Sequence, residues 1–154
     1  MFSILGPDVV AGARVLDLYA GTGALGMEAL SRAAESAVFV ETSEVRCRSL
    51  RESLEELGMT DRARVVRANA ERVPGHEEDG FSLVFIDPPY RTDPWDGLLG
   101  SMGKGESLAD GAVVVAEHYY KRELASAYGG LVRTEERRYG DTTISIFDFG
   151  GTIA

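Results

Sequence analysis

The chain has 154 residues, 44% hydrophobic and 27% charged, with a net charge of −9. That size predicts one domain over residues 1–154 with a real core, and no apolar run, Ala112 to Ala116 included, is long enough to span a bilayer. The acidic balance argues against the broad basic face with which a free-standing nucleic-acid binder usually grips phosphates.

Met1 to Val10 lacks a basic stretch followed by an apolar core, so no signal peptide is expected. The lone Cys47 cannot form an internal disulfide or a thiolate metal site. The expected compartment is therefore the reducing cytoplasm, and no membrane or metal partner is predicted.

In chain order, Ala13 to Tyr19 reads as the first strand. A glycine-rich turn follows, then a helix from Ala24 to Arg32. Ala37 to Glu41 reads as the second strand, and Ser43 as the N-cap of the next helix. Cys47, Leu50, Leu54 and Leu57 recur at helical spacing and mark its buried stripe. Gly58 is placed to stop that helix. Ala63 to Ala68 is a third strand. Phe81 to Asp87, apolar nearly throughout, is a fourth, ended by Pro88 and Pro89. Ala112 to Glu117 is a fifth strand, with a helix predicted over Lys121 to Tyr128. Leu131 to Tyr139 and Thr142 to Phe149 are joined through Gly140-Asp141, which leaves no room for a crossover helix and predicts an antiparallel hairpin. The alternation defines an α/β fold: a seven-stranded, mostly parallel sheet closed by a C-terminal hairpin.

The turn between the first strand and first helix, Asp17-Leu18-Tyr19-Ala20-Gly21-Thr22-Gly23-Ala24-Leu25-Gly26, carries the first chemical signal. Its glycines permit positive φ and close approach of a ligand, and the helix N-terminus adds oriented N–H groups. The pattern Gly21-x-Gly23-x-x-Gly26 matches the dinucleotide fingerprint, in the strand–turn–helix context that gives it meaning. A tight turn that only packs helix on sheet is the plain alternative. Asp17 would repel a pyrophosphate but suits a cation, such as the sulfonium or ammonium of S-adenosylmethionine. Candidate cofactor contacts are therefore Asp17, Tyr19, Gly21 and Gly23. Glu41 ends the second strand, where an acid accepts hydrogen bonds from ribose hydroxyls. Asn69 and Ala70, past the third strand, are candidates for an adenine edge; a turn-forming Asn69 is the alternative.

Asp87-Pro88-Pro89-Tyr90 follows the fourth strand. An exocyclic base amine is a poor nucleophile, because its lone pair is delocalised into the ring. A carboxylate accepting one N–H and a fixed carbonyl accepting the other favour a pyramidal nitrogen. Asp87 and Pro88 supply those two acceptors, and the two prolines hold the carbonyl in place. Tyr90 is placed to stack on the base, after its extrusion from any helix. Asp87 is also expected to border the cofactor. Strand termination by Pro-Pro, with Asp87 as a cap, is the competing reading.

The stretch Val15 to Arg32, with Phe85-Ile86-Asp87-Pro88-Pro89-Tyr90, Val115-Ala116-Glu117 and Tyr139-Gly140-Asp141-Thr142-Thr143, resembles the RsmD family of bacterial 16S rRNA guanine-N2 methyltransferases. The resemblance spans nearly the whole chain. It implies a class I, Rossmann-like methyltransferase fold and S-adenosylmethionine as cofactor. The implied substrate is a guanine of 16S rRNA in the 30S subunit or a late assembly intermediate, with the enzyme a monomer. By that similarity Asp17, Gly21, Gly23 and Glu41 line the cofactor site, Asn69 lies near the adenine, and Asp87 to Tyr90 form the catalytic loop. Family members carry a basic N-terminal extension that is expected to help grip RNA; Met1-Phe2-Ser3-Ile4-Leu5 begins inside the end of its helix.

Other residues read more plainly. Cys47 is expected in the core and His76 in a solvated acidic loop. Trp95 either packs its helix or covers a base pocket. His118 stands near the strand end, and Arg133, Arg137 and Arg138 either meet phosphates or line a solvated strand. A DNA adenine-N6 methyltransferase would share the loop chemistry but needs a recognition domain. An NAD-binding oxidoreductase would explain the turn and Glu41 but not Asp87 to Tyr90. A cofactor-binding module without activity is the third alternative.

Overall fold

The computed structural model of the chain describes residues 1–72 and 80–150. It divides into two compact units, Met1–Val73 and Pro74–Ala154. His76 lies outside the described residues.

The first unit opens with two single-turn helices, α1 (Phe2–Leu5) and α2 (Pro7–Val10). β1 (Arg14–Leu18), α3 (Ala24–Ser31), β2 (Ser36–Glu41), α4 (Glu44–Glu56) and β3 (Ala63–Arg67) follow. β2 lies between β1 and β3 and pairs parallel with both, from Arg14↔Ser36 to Leu18↔Val40 and from Ala37↔Ala63 to Glu41↔Arg67. Val15, Leu16 and Leu18 are all essentially inaccessible, so β1 is covered on both faces, as a parallel strand requires. Burial of each such side chain is worth about 1.5–3 kcal/mol. Arg62 donates from Nη1 to the carbonyls of Leu30 (3.2 Å) and Ala34 (2.8 Å), placing a cation at the C-terminal end of α3.

Ser43 caps α4 by accepting the Arg46 N–H. Cys47, Leu50 and Leu54 are buried as the spacing predicts. Leu57 is not: it is 58% exposed. The helix ends one residue earlier than the stripe implies. Gly58 takes φ 68, its N–H bonds Glu55 and the Met59 N–H bonds Leu54. This is a Schellman stop. After β3 the alternation asks for another helix; the described part is a 3₁₀ turn, Ala70–Arg72.

The second unit contains β4 (Phe81–Ile86), α5 (Trp95–Met102), β5 (Leu108–Tyr119), β6 (Ala127–Tyr128), β7 (Leu131–Tyr139) and β8 (Thr142–Phe149), ordered β4-β5-β8-β7-β6. β4 and β5 are parallel, with Leu83↔Val113 through Ile86↔Ala116 in register. β8 pairs antiparallel with both β5 and β7. The hairpin has the predicted bounds. Tyr139 pairs with Thr142, and Gly140 takes φ 62 between them, as a two-residue turn led by glycine requires. The seven expected strands are present, and the two-residue β6 is additional.

The helix predicted over Lys121 to Tyr128 does not form; turns and β6 occupy this stretch. Its groups bond elsewhere. Arg122 pairs with Asp93 (3.0 Å) and Asp96 (3.2 Å). The Tyr128 hydroxyl receives the Ala125 N–H and donates to Asp96 at 2.9 Å. Ala127 and Tyr128 pair with Val132 and Leu131 across a Gly129-Gly130 turn. Partners distant in sequence thus outweigh local helix propensity. Among the described residues, no helix is long and apolar enough to cross a membrane.

Gly26 faces the ring of Phe39, a fully buried core residue; an added Cβ would overlap that ring. Gly26→Ala is expected to destabilise the protein by about 1–3 kcal/mol, read as a lower urea midpoint with an unchanged slope.

Candidate functional site

In the first unit the chain leaves β1 through a turn with positive φ at Tyr19 (57°), Gly21 (57°) and Gly23 (78°). A left-handed tyrosine costs of order 1–3 kcal/mol and persists only where its surroundings hold it. Two buried acids do the holding. Asp17, 2% exposed, accepts the Gly26 N–H on Oδ2 at 3.0 Å. Glu41, 6% exposed, accepts the Gly21 N–H on Oε1 at 3.0 Å and the Ser43 N–H on Oε2 at 2.8 Å. The Ala20 N–H also bonds Val40 O. Such charge-assisted bonds are about twice as strong as neutral ones. Asp17, Tyr19, Gly21, Gly23 and Glu41 therefore belong to one knitted turn. Glu41 Oε2 also meets Thr42 Oγ1 at 3.5 Å, whereas Oε1, with the single Gly21 N–H bond, retains a second acceptor site.

The Tyr19 hydroxyl is buried, and among the described residues it has no hydrogen-bond partner. Burial, with the negative charge of Glu71 second, pushes its pKa up to about 12. It remains a neutral donor. Asn69 accepts the Glu71 N–H on Oδ1 at 2.9 Å, so its turn-forming role is present, and Ala70 beside it is buried.

In the second unit, Asp87 follows Ile86 and Glu117 follows Ala116, and Ile86 and Ala116 are register partners. The two acids therefore come level on adjacent strands and hydrogen-bond each other. That bond requires a proton between them. Burial pushes both pKa values up. For Glu117 the neighbouring charge and hydrogen bond of Asp87 push further, to about 7. Asp87 is lowered in turn by the bond it receives from Glu117. Sequence reasoning gave Glu117 no role. The available signal was its place at a strand end, like Glu41.

Pro88 is buried, and among the described residues its carbonyl accepts no hydrogen bond. Thr92 N–H to Pro89 O at 2.9 Å closes the loop. Tyr90 is 69% exposed, yet its hydroxyl bonds Thr142 Oγ1 at 3.0 Å and its ring meets Tyr119 edge-on at 5.7 Å. A cavity of about 170 Å³ opens beside this loop, lined among others by Pro89, Tyr90, Trp95, Glu117, His118 and Tyr119. Trp95 heads α5, is 3% exposed and contacts His118 edge-on, so it both packs its helix and lines the cavity. His118 Nδ1 faces the Tyr119 carbonyl at 3.1 Å, so Nδ1 carries the proton and Nε2 accepts from Ser145 Oγ at 2.8 Å. Burial pushes its pKa down, which favours the neutral ring.

The hairpin arginines are engaged locally. Arg133 binds Leu124 O and Glu136, Arg137 binds Glu135, and Arg138 binds Gly140 O while its guanidinium lies over Tyr120 at 3.8 Å. Cys47 is buried, as expected of a core thiol.

The fold is that of class I methyltransferases. A solved structure of a conserved hypothetical protein from Streptococcus pyogenes superposes with a TM-score of 0.86 at 28% identity, covering 99% of this chain and 95% of that one. The family model described as Conserved hypothetical protein 95 matches residues 1–148. Ribosomal RNA small subunit methyltransferase D of Escherichia coli is 35% identical, covering 96% of this chain and 73% of its own. YlbH of Bacillus subtilis, named as a presumptive rRNA methyltransferase, is 37% identical, covering 96% of this chain and 81% of its own. The chain belongs to this group, the RsmD family of methyltransferases.

Raised carboxyl pKa values give a signed stability prediction. The Glu117 contribution is fully present below its unfolded pKa near 4.5 and is lost as pH rises through about 7. Glu117→Gln should therefore gain melting temperature relative to wild type as pH rises from 4.5 to 8. A difference that stays constant across that range in calorimetry would contradict the shift.

Proposed function

We propose that the chain transfers a methyl group from S-adenosylmethionine to the exocyclic N2 amine of a guanine in 16S rRNA. The expected setting is the cytoplasm, with a monomer acting on the 30S particle or a late assembly intermediate. The observation that carries the reading is the loop Asp87 to Tyr90. It combines a carboxyl group, a prolyl carbonyl with an open acceptor site and an exposed, anchored tyrosine, in a family whose E. coli member is named for small-subunit rRNA methylation.

The first unit's residues fit the cofactor. Among the described residues the Tyr19 hydroxyl is an unpartnered buried donor, and Glu41 is an anchored acid whose Oε1 has an acceptor site to spare for a ribose hydroxyl. Asp17, Tyr19, Gly21 and Gly23 would hold its charged amino-acid end, Glu41 the ribose, and Asn69 with Ala70 the adenine. When bound, S-adenosylmethionine supplies an electrophilic methyl group on a sulfonium.

The chain's own residues then prepare the amine. Asp87 accepts one N–H of the guanine amine and the Pro88 carbonyl accepts the other. The nitrogen becomes pyramidal, and its lone pair points out of the ring plane. Because prolines fix the carbonyl beforehand, little reorganisation is needed during reaction. On accepting the methyl group the nitrogen must shed one proton, which the Asp87 carboxylate is placed to take. Tyr90 stacks on the base, a contact worth about 1–3 kcal/mol.

Asp87→Ala should lower methyl transfer to undermodified 30S subunits by about 100-fold or more, with S-adenosylhomocysteine affinity preserved in calorimetry. Unchanged turnover would remove Asp87 from the mechanism, and binding of NAD in place of S-adenosylhomocysteine would overturn the cofactor. Tyr90→Ala should reduce kcat/KM by roughly 5- to 100-fold, whereas Tyr90→Phe, which keeps the stacking face but loses the tether to Thr142, should lose only about two- to fivefold.

A further inference from the structure

The described cavity offers few groups free to read a base. Arg122 and Asp93 pair with each other, and both ring nitrogens of His118 are engaged. Glu117 also lines the cavity, and the partner of its carboxyl among the described residues is its neighbour Asp87. Adjacent strands lie about 4.8 Å apart, so two acids level on them can each turn an oxygen toward one flat ligand edge. Guanine carries two donors side by side on its Watson–Crick edge, N1–H and the N2 amine. Adenine carries a donor beside an acceptor.

We propose that Glu117 is the residue that selects guanine: its carboxylate accepts N1–H while Asp87 accepts the N2 amine. This rests on the methyl-transfer reading above. The two guanine donors replace the proton that the carboxyls share in the free protein, and that proton leaves to solvent. A purine lacking N1–H would set its N1 lone pair against the Glu117 carboxylate, a mismatch that a site built around a donor rejects strongly.

The test compares 2-aminopurine, which keeps the N2 amine but has an unprotonated N1. The methylated position is first mapped by nucleoside mass spectrometry. Small-subunit particles are then reconstituted with guanine or 2-aminopurine at that position, and kcat/KM is measured for each. Wild type should favour guanine by about tenfold or more. Glu117→Gln, whose amide can accept from N1–H or donate to a bare N1, should bring the two substrates to within about threefold. Equal rates for wild type on both particles would overturn the inference, as would a Glu117→Gln variant that slows both equally and keeps their ratio. The wild-type comparison decides even if the variant fails to fold. Absence of any methyl transfer to the guanine particle would instead overturn the parent reading.

Discussion

The candidate catalytic loop depends on one constraint, the in-register parallel pairing of β4 with β5. Leu83, Val84, Phe85 and Ile86 are buried on one strand, and Val114, Val115 and Ala116 on the other. Side chains alternate between faces, so a slip of one residue would turn Glu117 to the opposite side of its strand. The hydrophobic core forbids that slip. The closeness of Asp87 and Glu117 is thus enforced by apolar packing several residues away, not by any attraction between the acids. Their meeting is itself unfavourable unless a proton is shared between them.

Acids at the ends of parallel strands recur in both units, with two different uses. Asp17 and Glu41 bind backbone N–H groups of Gly26, Gly21 and Ser43, and so maintain a strained loop while Glu41 Oε1 keeps one acceptor site. Asp87 and Glu117 face each other across neighbouring strands and keep capacity for a ligand. Residue type and position are alike in the two cases. The difference is set by which donors the surrounding backbone presents.

Much of this was legible in the sequence, because the signals were local. The glycine turn, the Ser43 cap, the Gly58 stop and the hairpin through Gly140-Asp141 depend on neighbours within a few residues. Asp87 to Tyr90 could be read as chemistry because four adjacent residues carry it. What escaped depends on partners distant along the chain. Arg122 and Tyr128 leave the expected helix to reach Asp93 and Asp96 on and before α5. Glu117 acquires meaning only once strand register brings Asp87 beside it. Leu57 fits the helical period, but the Schellman turn ends that period one residue too soon.

Tyr90 shows what anchoring does for an exposed aromatic ring. A tyrosine this open to solvent would ordinarily sample several rotamers, and a stacking partner would have to freeze them at an entropic cost. Here Thr142 tethers the hydroxyl and Tyr119 braces one edge, while a face of the ring stays uncovered. The ordering cost is met when the protein folds. In the proposed reaction a base arriving at that ring would find a rigid shelf, and the energy gained on contact would be left to offset the work of pulling the base out of its helix.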